Sequence, residues 1–207
     1  MTFVSTRPDH RRIIFALIAA ASVTACATPN VAPSGFLGGY EALQASNETG
    51  AVRVATSSAE TLFGYTSVMI DEPSLLEARL SQHDADAMRG ALKEALEAEL
   101  SFDREIVMAS AVGTLRVRYA IIQVETSNVA LNALTTVIIG AVDYGSLALE
   151  AEVTDSVTGE WLASMTWARG AKALNVLGAY SSTGNARALA PDFAKRLAKL
   201  ISPRMPG

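Results

Sequence analysis

Two alternating segments joined by a short polar turn constrain the fold of this chain most strongly. Successive side chains of a β-strand point to opposite faces, so apolar residues at every second position predict a strand with one buried face. The alternating apolar positions are Leu147, Leu149, Ala151 and Val153 before the turn, and Trp161, Ala163, Met165 and Trp167 after it. The turn at 155–160 contains Asp155 and Gly159, residue types that favour tight turns. The pattern therefore predicts a β-hairpin.

The same reasoning predicts two more strands and two helices. Residues 114–125 alternate between apolar and polar side chains, and residues 65–70 are rich in β-branched and aromatic types, so both predict strands. Residues 82–100 repeat apolar side chains every fourth position after a Ser81–Asp84 capping box, and residues 187–201 are amphipathic. We therefore expect a single α+β domain in which an antiparallel sheet of about four to five strands packs against two helices.

The first 26 residues combine a basic start, an uncharged run and a cysteine. A basic start is followed by the uncharged run 13–23, which is far shorter than the ~20 residues of a membrane-spanning helix. Val23-Thr24-Ala25 then precedes Cys26, the one cysteine of the chain, and this arrangement resembles a lipobox. We expect several acyl chains on Cys26 to anchor the protein, with Ala27 favouring the outer membrane. The alternative is an ordinary secretory leader in which Cys26 is a small buried residue.

The predicted organisation has three parts. Residues 1–25 form the signal peptide, residues 26–34 a lipidated tether rich in small residues and proline, and residues 35–207 a periplasmic α+β domain. Removal of three arginines and one aspartate with the leader changes the formal charge to 14 minus 20, or −6. Because no basic stripe is available to neutralise phosphates, we expect no nucleic-acid partner.

Two short stretches resemble a known family. The first runs from Ser34 to Leu43 and contains Ser-Gly-Phe-Leu followed by Tyr40, and the second runs from Glu152 to Glu160 and ends in Thr-Gly-Glu. Both are similar to an uncharacterised bacterial lipoprotein family, domain of unknown function three-three-one-three (DUF3313). That family usually carries an acidic residue before the tyrosine, where this chain has Gly39. The resemblance implies an envelope lipoprotein and provides no catalytic residues.

No residue cluster predicts catalysis, a metal or a cofactor. His83, Asp84 and Asp86 would need at least two more ligands to hold zinc, and a helix start explains both aspartates by capping. Asp155 and Glu160 flank a tight turn, which explains them better than a pair of glycosidase carboxylates does. Serine-hydrolase and phosphate-loop motifs are absent from the sequence. We therefore expect a protein that is not an enzyme.

Charged residues on the predicted strands allow two interpretations. Arg116 and Arg118 are expected to lie opposite Glu150 and Glu152 on the outer face of the sheet. The simpler interpretation is a set of cross-strand ion pairs on a solvated face. The alternative is a groove that binds a charged ligand.

Residues 126–142 form an unusual uncharged stretch between two predicted strands, and they include Leu134, Val137, Ile138 and Ile139. Three interpretations remain open for this stretch. It is a buried helix or strand extension, an exposed flap that docks on a partner or on another copy, or a segment that dips into the bilayer.

We expect an outer-membrane lipoprotein that faces the periplasm and binds an envelope protein as an accessory or assembly factor. The candidate partner contacts are Phe36, Tyr40, Leu134, Val137, Ile138 and Ile139. A competing interpretation is that Phe36 and Tyr40 staple the tether to the domain. The alternative functions are a hydrolase of cell wall or lipid, and a periplasmic small-ligand carrier with a cleft between sheet and helices. The sequence predicts no oligomeric state.

Overall fold

One mixed β-sheet carries the longer helices on one of its faces. The computed structural model describes residues 33–46, 51–76, 80–125, 146–170 and 183–202. The strands are β1 (Gln44–Ala45), β2 (Ala51–Thr56), β3 (Ser67–Ile70), β4 (Ser74–Leu75), β5 (Glu105–Ile106), β6 (Thr114–Glu125), β7 (Ser146–Asp155) and β8 (Trp161–Gly170). The helices are α1 (Ala59–Leu62), α2 (Gln82–Leu100), α3 (Gly184–Arg187) and α4 (Ala190–Ile201).

The strand order of the sheet, within the described residues, is β1-β2-β8-β7-β6-β3-β5, and β4 also pairs with β6. Neighbours from β1 to β6 are antiparallel, whereas β3 and β4 run parallel to β6 and β3 runs parallel to β5. The expected α+β class is confirmed, but the expectation of four to five antiparallel strands is wrong, because the sheet has eight strands and is mixed. The long crossover through α2 brings β6 back parallel to β3.

The predicted hairpin is confirmed as β7 and β8, which pair from Thr154 opposite Trp161 to Ser146 opposite Gly170. Its turn is closed by Asp155, whose carboxylate accepts the N–H groups of Val157 and Thr158 at 2.8 and 2.7 Å. Gly159 adopts a φ of 73°, a left-handed conformation that favours glycine. The strand predicted at 114–125 is β6.

Two helices cover the inner face of the sheet. The capping box predicts the start of α2 correctly, since the Ser81 hydroxyl accepts the N–H of Asp84 at 3.1 Å. The helix predicted at 187–201 is observed as α3 and α4, with Pro191 in the first turn of α4. The core lies between these helices and the sheet, where Phe193 of α4 contacts the rings of Tyr119 and Trp167 at centroid distances of 6.4 and 5.9 Å.

Candidate functional site

The outer face of the sheet carries two buried glutamates in the middle of β7. Alternation places Leu149 and Ala151 towards the helices and Glu150 and Glu152 on the opposite face. Glu150 is only 2% exposed and Glu152 only 6% exposed. Burying carboxylates away from water is costly unless hydrogen-bond donors surround them. Most of the donors come from residues 34–40, which we call the docked segment, and one comes from Arg118.

Glu150 is held by the first residue of the docked segment and by its last. The Ser34 hydroxyl donates to Oε2 at 2.6 Å and the Tyr40 hydroxyl donates to the same oxygen at 2.8 Å. The Ser34 N–H donates to Oε1 at 3.4 Å. Because hydrogen bonds to an ionised group are short and strong, these contacts fix both ends of the docked segment on the sheet.

The docked segment folds around the hydroxyl of Tyr40. This oxygen accepts the N–H groups of Gly35 at 2.9 Å and Leu37 at 3.3 Å while its own proton points to Glu150. Gly35 has a φ of 86°, a left-handed conformation that favours glycine at this position of the turn. Leu37 is buried beneath the turn, where it packs in a small apolar cluster with Leu43.

Glu152 joins the docked segment to strand β6. Its Oε1 accepts the N–H of Gly38 at 3.0 Å, and its Oε2 accepts a hydrogen bond from Nη1 of Arg118 at 3.2 Å. The Arg118 guanidinium carbon also lies 5.2 Å from the centroid of the Phe36 ring, a cation–π distance. Arg118 therefore lies between a buried carboxylate and an aromatic ring of the docked segment.

We expected Arg116 and Arg118 to form cross-strand ion pairs with Glu150 and Glu152 on a solvated face. The structure confirms this expectation only for one pair. Arg118 is indeed opposite Glu152 across the sheet and forms an ion pair with it. Arg116, however, binds Asp71 with two guanidinium nitrogens at 2.8 and 3.0 Å. The outer face is not solvated at Glu150 and Glu152, because the docked segment covers both side chains.

The two stretches that resemble the DUF3313 family contact each other in space. Gly38, in the Ser-Gly-Phe-Leu stretch, donates its N–H to Glu152, the first residue of the Thr-Gly-Glu stretch. These residues are 114 positions apart in the chain. The first stretch therefore contains the docked segment, and the second contains part of the sheet surface on which that segment docks.

A groove of about 570 Å³ lies beside the docked segment on the same outer face. One wall contains Gly38, Gly39, Glu41 and Ala42. The other contains Arg116 and Arg118 on β6 and Glu152 on β7. Thr154 and Trp161 line the end of the groove near the β7–β8 turn. Trp161 is 39% exposed, whereas Trp167 is buried.

Three exposed apolar side chains lie at the end of the sheet that carries the β7–β8 turn. Met108 and Val112 in the β5–β6 loop are 88% and 94% exposed, and Val157 in the turn is 57% exposed. The two loops are joined because the Ser110 hydroxyl donates to the carbonyl oxygen of Ser156 at 2.7 Å. We call Met108, Val112 and Val157 the apolar tip.

The polar clusters singled out in the sequence have structural roles where the structure describes them. Asp84 belongs to the α2 cap, and Asp86 pairs with Arg89 at 2.9 Å, while His83 is exposed on the same turn. Asp155 closes the hairpin turn. Its carboxylate accepts hydrogen bonds from backbone N–H groups, chiefly that of Thr158, and these bonds hold the pKa of the carboxyl below its usual value. Across the described part of the chain, no three His, Cys, Asp or Glu residues converge as metal ligands.

Phe36 and Tyr40 contact their own sheet, as the stapling interpretation expects. Cys26 and the stretch 126–142, with Leu134, Val137, Ile138 and Ile139, lie outside the described residues. The sequence did not predict Ser34 and Gly38 as contact residues or the burial of Glu150. The family resemblance was the one signal for these contacts. Both contacting stretches resemble the family, but the resemblance does not indicate that they contact each other.

In the described ranges, no helix has the length and apolar character needed to cross a bilayer.

The fold and this site define an α+β domain whose N-terminal segment is docked on the outer face of its sheet. The family model described as "Protein of unknown function (DUF3313)" matches residues 32–197. The chain belongs to this family, as its two resembling stretches predict. The match begins just before the docked segment and ends within α4. No curated protein sequence matches the chain significantly.

Solved structures provide distant similarities. The PelC dodecamer from Paraburkholderia phytofirmans has 13% identity and a TM-score of 0.49, covering 74% of this chain and 98% of that one. Protein XCC0632 from Xanthomonas campestris, of family DUF330, has 9% identity and a TM-score of 0.41, with 65% and 82% coverage. A putative neuraminyllactose-binding hemagglutinin homolog from Helicobacter pylori has 12% identity and a TM-score of 0.36, with 67% and 83% coverage. These values are too low to transfer a function.

Proposed function

We propose that this protein is a lipid-anchored protein of the outer membrane that faces the periplasm and acts by binding an envelope protein, without catalysis. The observation that carries the proposal is the docking of residues 34–40 on Glu150 and Glu152. A lipidated Cys26 would be followed almost at once by a segment that is fixed to the domain. The domain would then be held close to the membrane instead of moving on a long linker.

The length of the tether supports this geometry. Eight residue steps separate Cys26 from Ser34. A fully extended chain spans at most ~3.6 Å per residue, so Ser34 would lie within about 29 Å of the lipidated sulfur. Because Ser34 is bound to Glu150 in the middle of the sheet, this limit would set how far the outer face of the sheet can lie from the anchored cysteine.

The apolar tip is the surface that we propose for the partner. Large exposed apolar groups rimmed by polar residues are typical of protein–protein contact sites. The two loops of the tip are also held together, because the Ser110 hydroxyl and the Ala111 N–H both bond to the Ser156 hydroxyl of the neighbouring turn. An ordered surface loses less conformational entropy on binding than a flexible loop does.

The alternative of a ligand carrier with a cleft between sheet and helices receives less support. The rings of Tyr119, Trp167 and Phe193 pack in that space, and all three side chains are buried. The alternative of a hydrolase lacks a supporting observation, because the polar clusters that the sequence offered are explained by capping, by turn closure and by docking.

In-cell photo-crosslinking tests the binding function. A photoreactive amino acid is placed at Met108 or at Val112 of the membrane-bound protein, with Glu94 on the exposed side of α2 as the matched control. We expect the same envelope protein to be captured from both tip positions and not from Glu94. Capture from Glu94 with equal yield, or no capture from either tip position, would contradict the proposal.

A further inference from the structure

The groove beside the docked segment has the size and the lining of a small-ligand site. Its volume of about 570 Å³ falls within the range of roughly 300–1,000 Å³ that is typical of such sites. It is open along the outer face, between the docked segment and strand β6. Its lining includes none of the three residues of the apolar tip, so a ligand bound here would be additional to the proposed function and independent of it.

Trp161 provides an apolar platform at one end of the groove. Its indole Nε1 donates to the Ser164 hydroxyl at 2.7 Å, and Ser164 is buried in the sheet. This hydrogen bond fixes the ring against β8 and satisfies its polar atom. The remaining exposed part of the ring is apolar, and a large aromatic surface left partly open to solvent gains free energy when a ligand covers it.

The charges at the groove largely compensate each other. Arg118 forms an ion pair with Glu152, and Arg116 forms one with Asp71. Glu41, on the opposite wall, adds a third carboxylate. Two guanidinium groups therefore stand against three carboxylates, which leaves a local net charge of −1. An anionic ligand would meet no excess of positive charge, and a cationic ligand would have to compete with guanidinium groups that already occupy two carboxylates.

The same side chains offer many hydrogen bonds to an uncharged ligand. The guanidinium group has five N–H donors in a planar fork. Asp71 occupies Nε and Nη2 of Arg116, while Glu152 occupies Nη1 of Arg118, so each arginine keeps further donors that no side chain of the described residues engages. The Thr154 hydroxyl adds a group that can donate and accept. Such a lining suits a ring with one apolar face and several hydroxyl groups.

We propose that this groove binds a neutral carbohydrate. The apolar face of one sugar ring stacks on Trp161, and its hydroxyl groups bond to Arg116, Arg118 and Thr154. Glu152 positions Arg118 through their ion pair and takes no part in contact with the sugar, since its two oxygens already accept bonds from Gly38 and Arg118. An exposed indole lies beside two arginines whose charges are compensated by carboxylates. This arrangement favours an uncharged ligand with several hydroxyl groups.

The test follows the two indole N–H signals in NMR spectra, because the chain contains two tryptophans. The full mature protein, labelled with ¹⁵N-tryptophan in detergent micelles, is titrated with a neutral N-acetylglucosamine tetramer. Tetramers of glucosamine (cationic) and galacturonate (anionic) are titrated separately. We expect the neutral tetramer to shift the Trp161 signal saturably and to leave that of the buried Trp167 unchanged, with weaker shifts from both charged sugars.

Variants then separate the site from the fold. By calorimetry, Trp161→Ala should weaken binding of the neutral tetramer at least about tenfold. Trp161→Phe should retain much of it, because an aromatic face remains. Val157→Ala, in the same turn but outside the groove, should bind like the wild type. The proposal is overturned if millimolar neutral tetramer moves neither signal, if a charged tetramer binds as well, or if folded Trp161→Ala binds normally.

Discussion

Removal of a single hydroxyl in Tyr40→Phe is expected to loosen the docked segment from the sheet. The phenol oxygen of Tyr40 donates to Oε2 of Glu150 and accepts the N–H groups of Gly35 and Leu37. The ring itself remains in the variant, so the apolar contacts of Tyr40 are retained. Any loss of stability therefore reports on these hydrogen bonds.

The magnitude follows from the burial of Glu150. A hydrogen bond to a charged group contributes about 1.5–3 kcal/mol, and a buried acceptor that loses a donor cannot recover it from water. Glu150 keeps the Ser34 hydroxyl at 2.6 Å, which reduces the loss. Gly35 is exposed and its N–H can bond to water instead. We therefore expect a decrease of about 2 kcal/mol in the free energy of unfolding.

Urea unfolding, followed by tryptophan fluorescence, measures this change. With a slope of about 2 kcal/mol/M, the midpoint should fall by about 1 M urea. Hydrogen exchange at the Gly38 N–H should accelerate as well, because that N–H is bonded to Glu152 only while the segment is docked.

Tyr65→Phe is the matched control. The Tyr65 hydroxyl donates to Asp155 at 3.0 Å, but that carboxylate keeps two backbone N–H donors in the variant. We expect this control to lose about 1 kcal/mol or less. If Tyr40→Phe lost no more stability than Tyr65→Phe, and exchange at Gly38 were unchanged, the Tyr40 hydroxyl would not be what holds the docked segment on the sheet.

Three further predictions concern backbone and charge. Gly38→Ala places a Cβ 3.2 Å from Oε1 of Glu152, and this crowding should cost about 1 kcal/mol in urea unfolding. Gly90→Ala, in the middle of α2 with no atom near its new Cβ, should instead stabilise by about 0.5–1 kcal/mol and raise Tm; a decrease would argue against the α2 assignment. Asp155→Asn should be less stable than the wild type at neutral pH. Because the pKa of Asp155 is lowered in the folded state, its contribution is full above about pH 4 and disappears as pH falls through the folded value, so the two unfolding curves should converge in acid. A difference that stays constant with pH would contradict this origin.

Local patterns in the sequence predict the long elements well. The α2 boundaries at Gln82 and Leu100 match the prediction, because the Ser81 cap and the four-residue repeat of apolar side chains are both local signals. The hairpin and β6 follow from alternation over ten or more residues. β1, β4 and β5 have two residues each and thus no periodicity to detect.

The site was predicted only in part because its contacts span the length of the chain. Alternation placed Glu150 and Glu152 on the outer face correctly. Their burial depends on Ser34 and Gly38, which are 116 and 114 positions away. No local pattern indicates which loop covers a sheet face. A polar strand face is therefore predicted as solvated unless a second, distant segment is known to pack on it.

A lipid on Cys26 would hold the domain near the membrane through the tether and the docked segment. The most direct test is the mass of the N-terminal peptide from the mature protein, extracted from outer membranes. We expect a peptide that begins at Cys26 and carries a diacylglyceryl group on sulfur and an acyl group on nitrogen. A mature chain that begins at another residue, or that carries an unmodified Cys26 thiol, would contradict it.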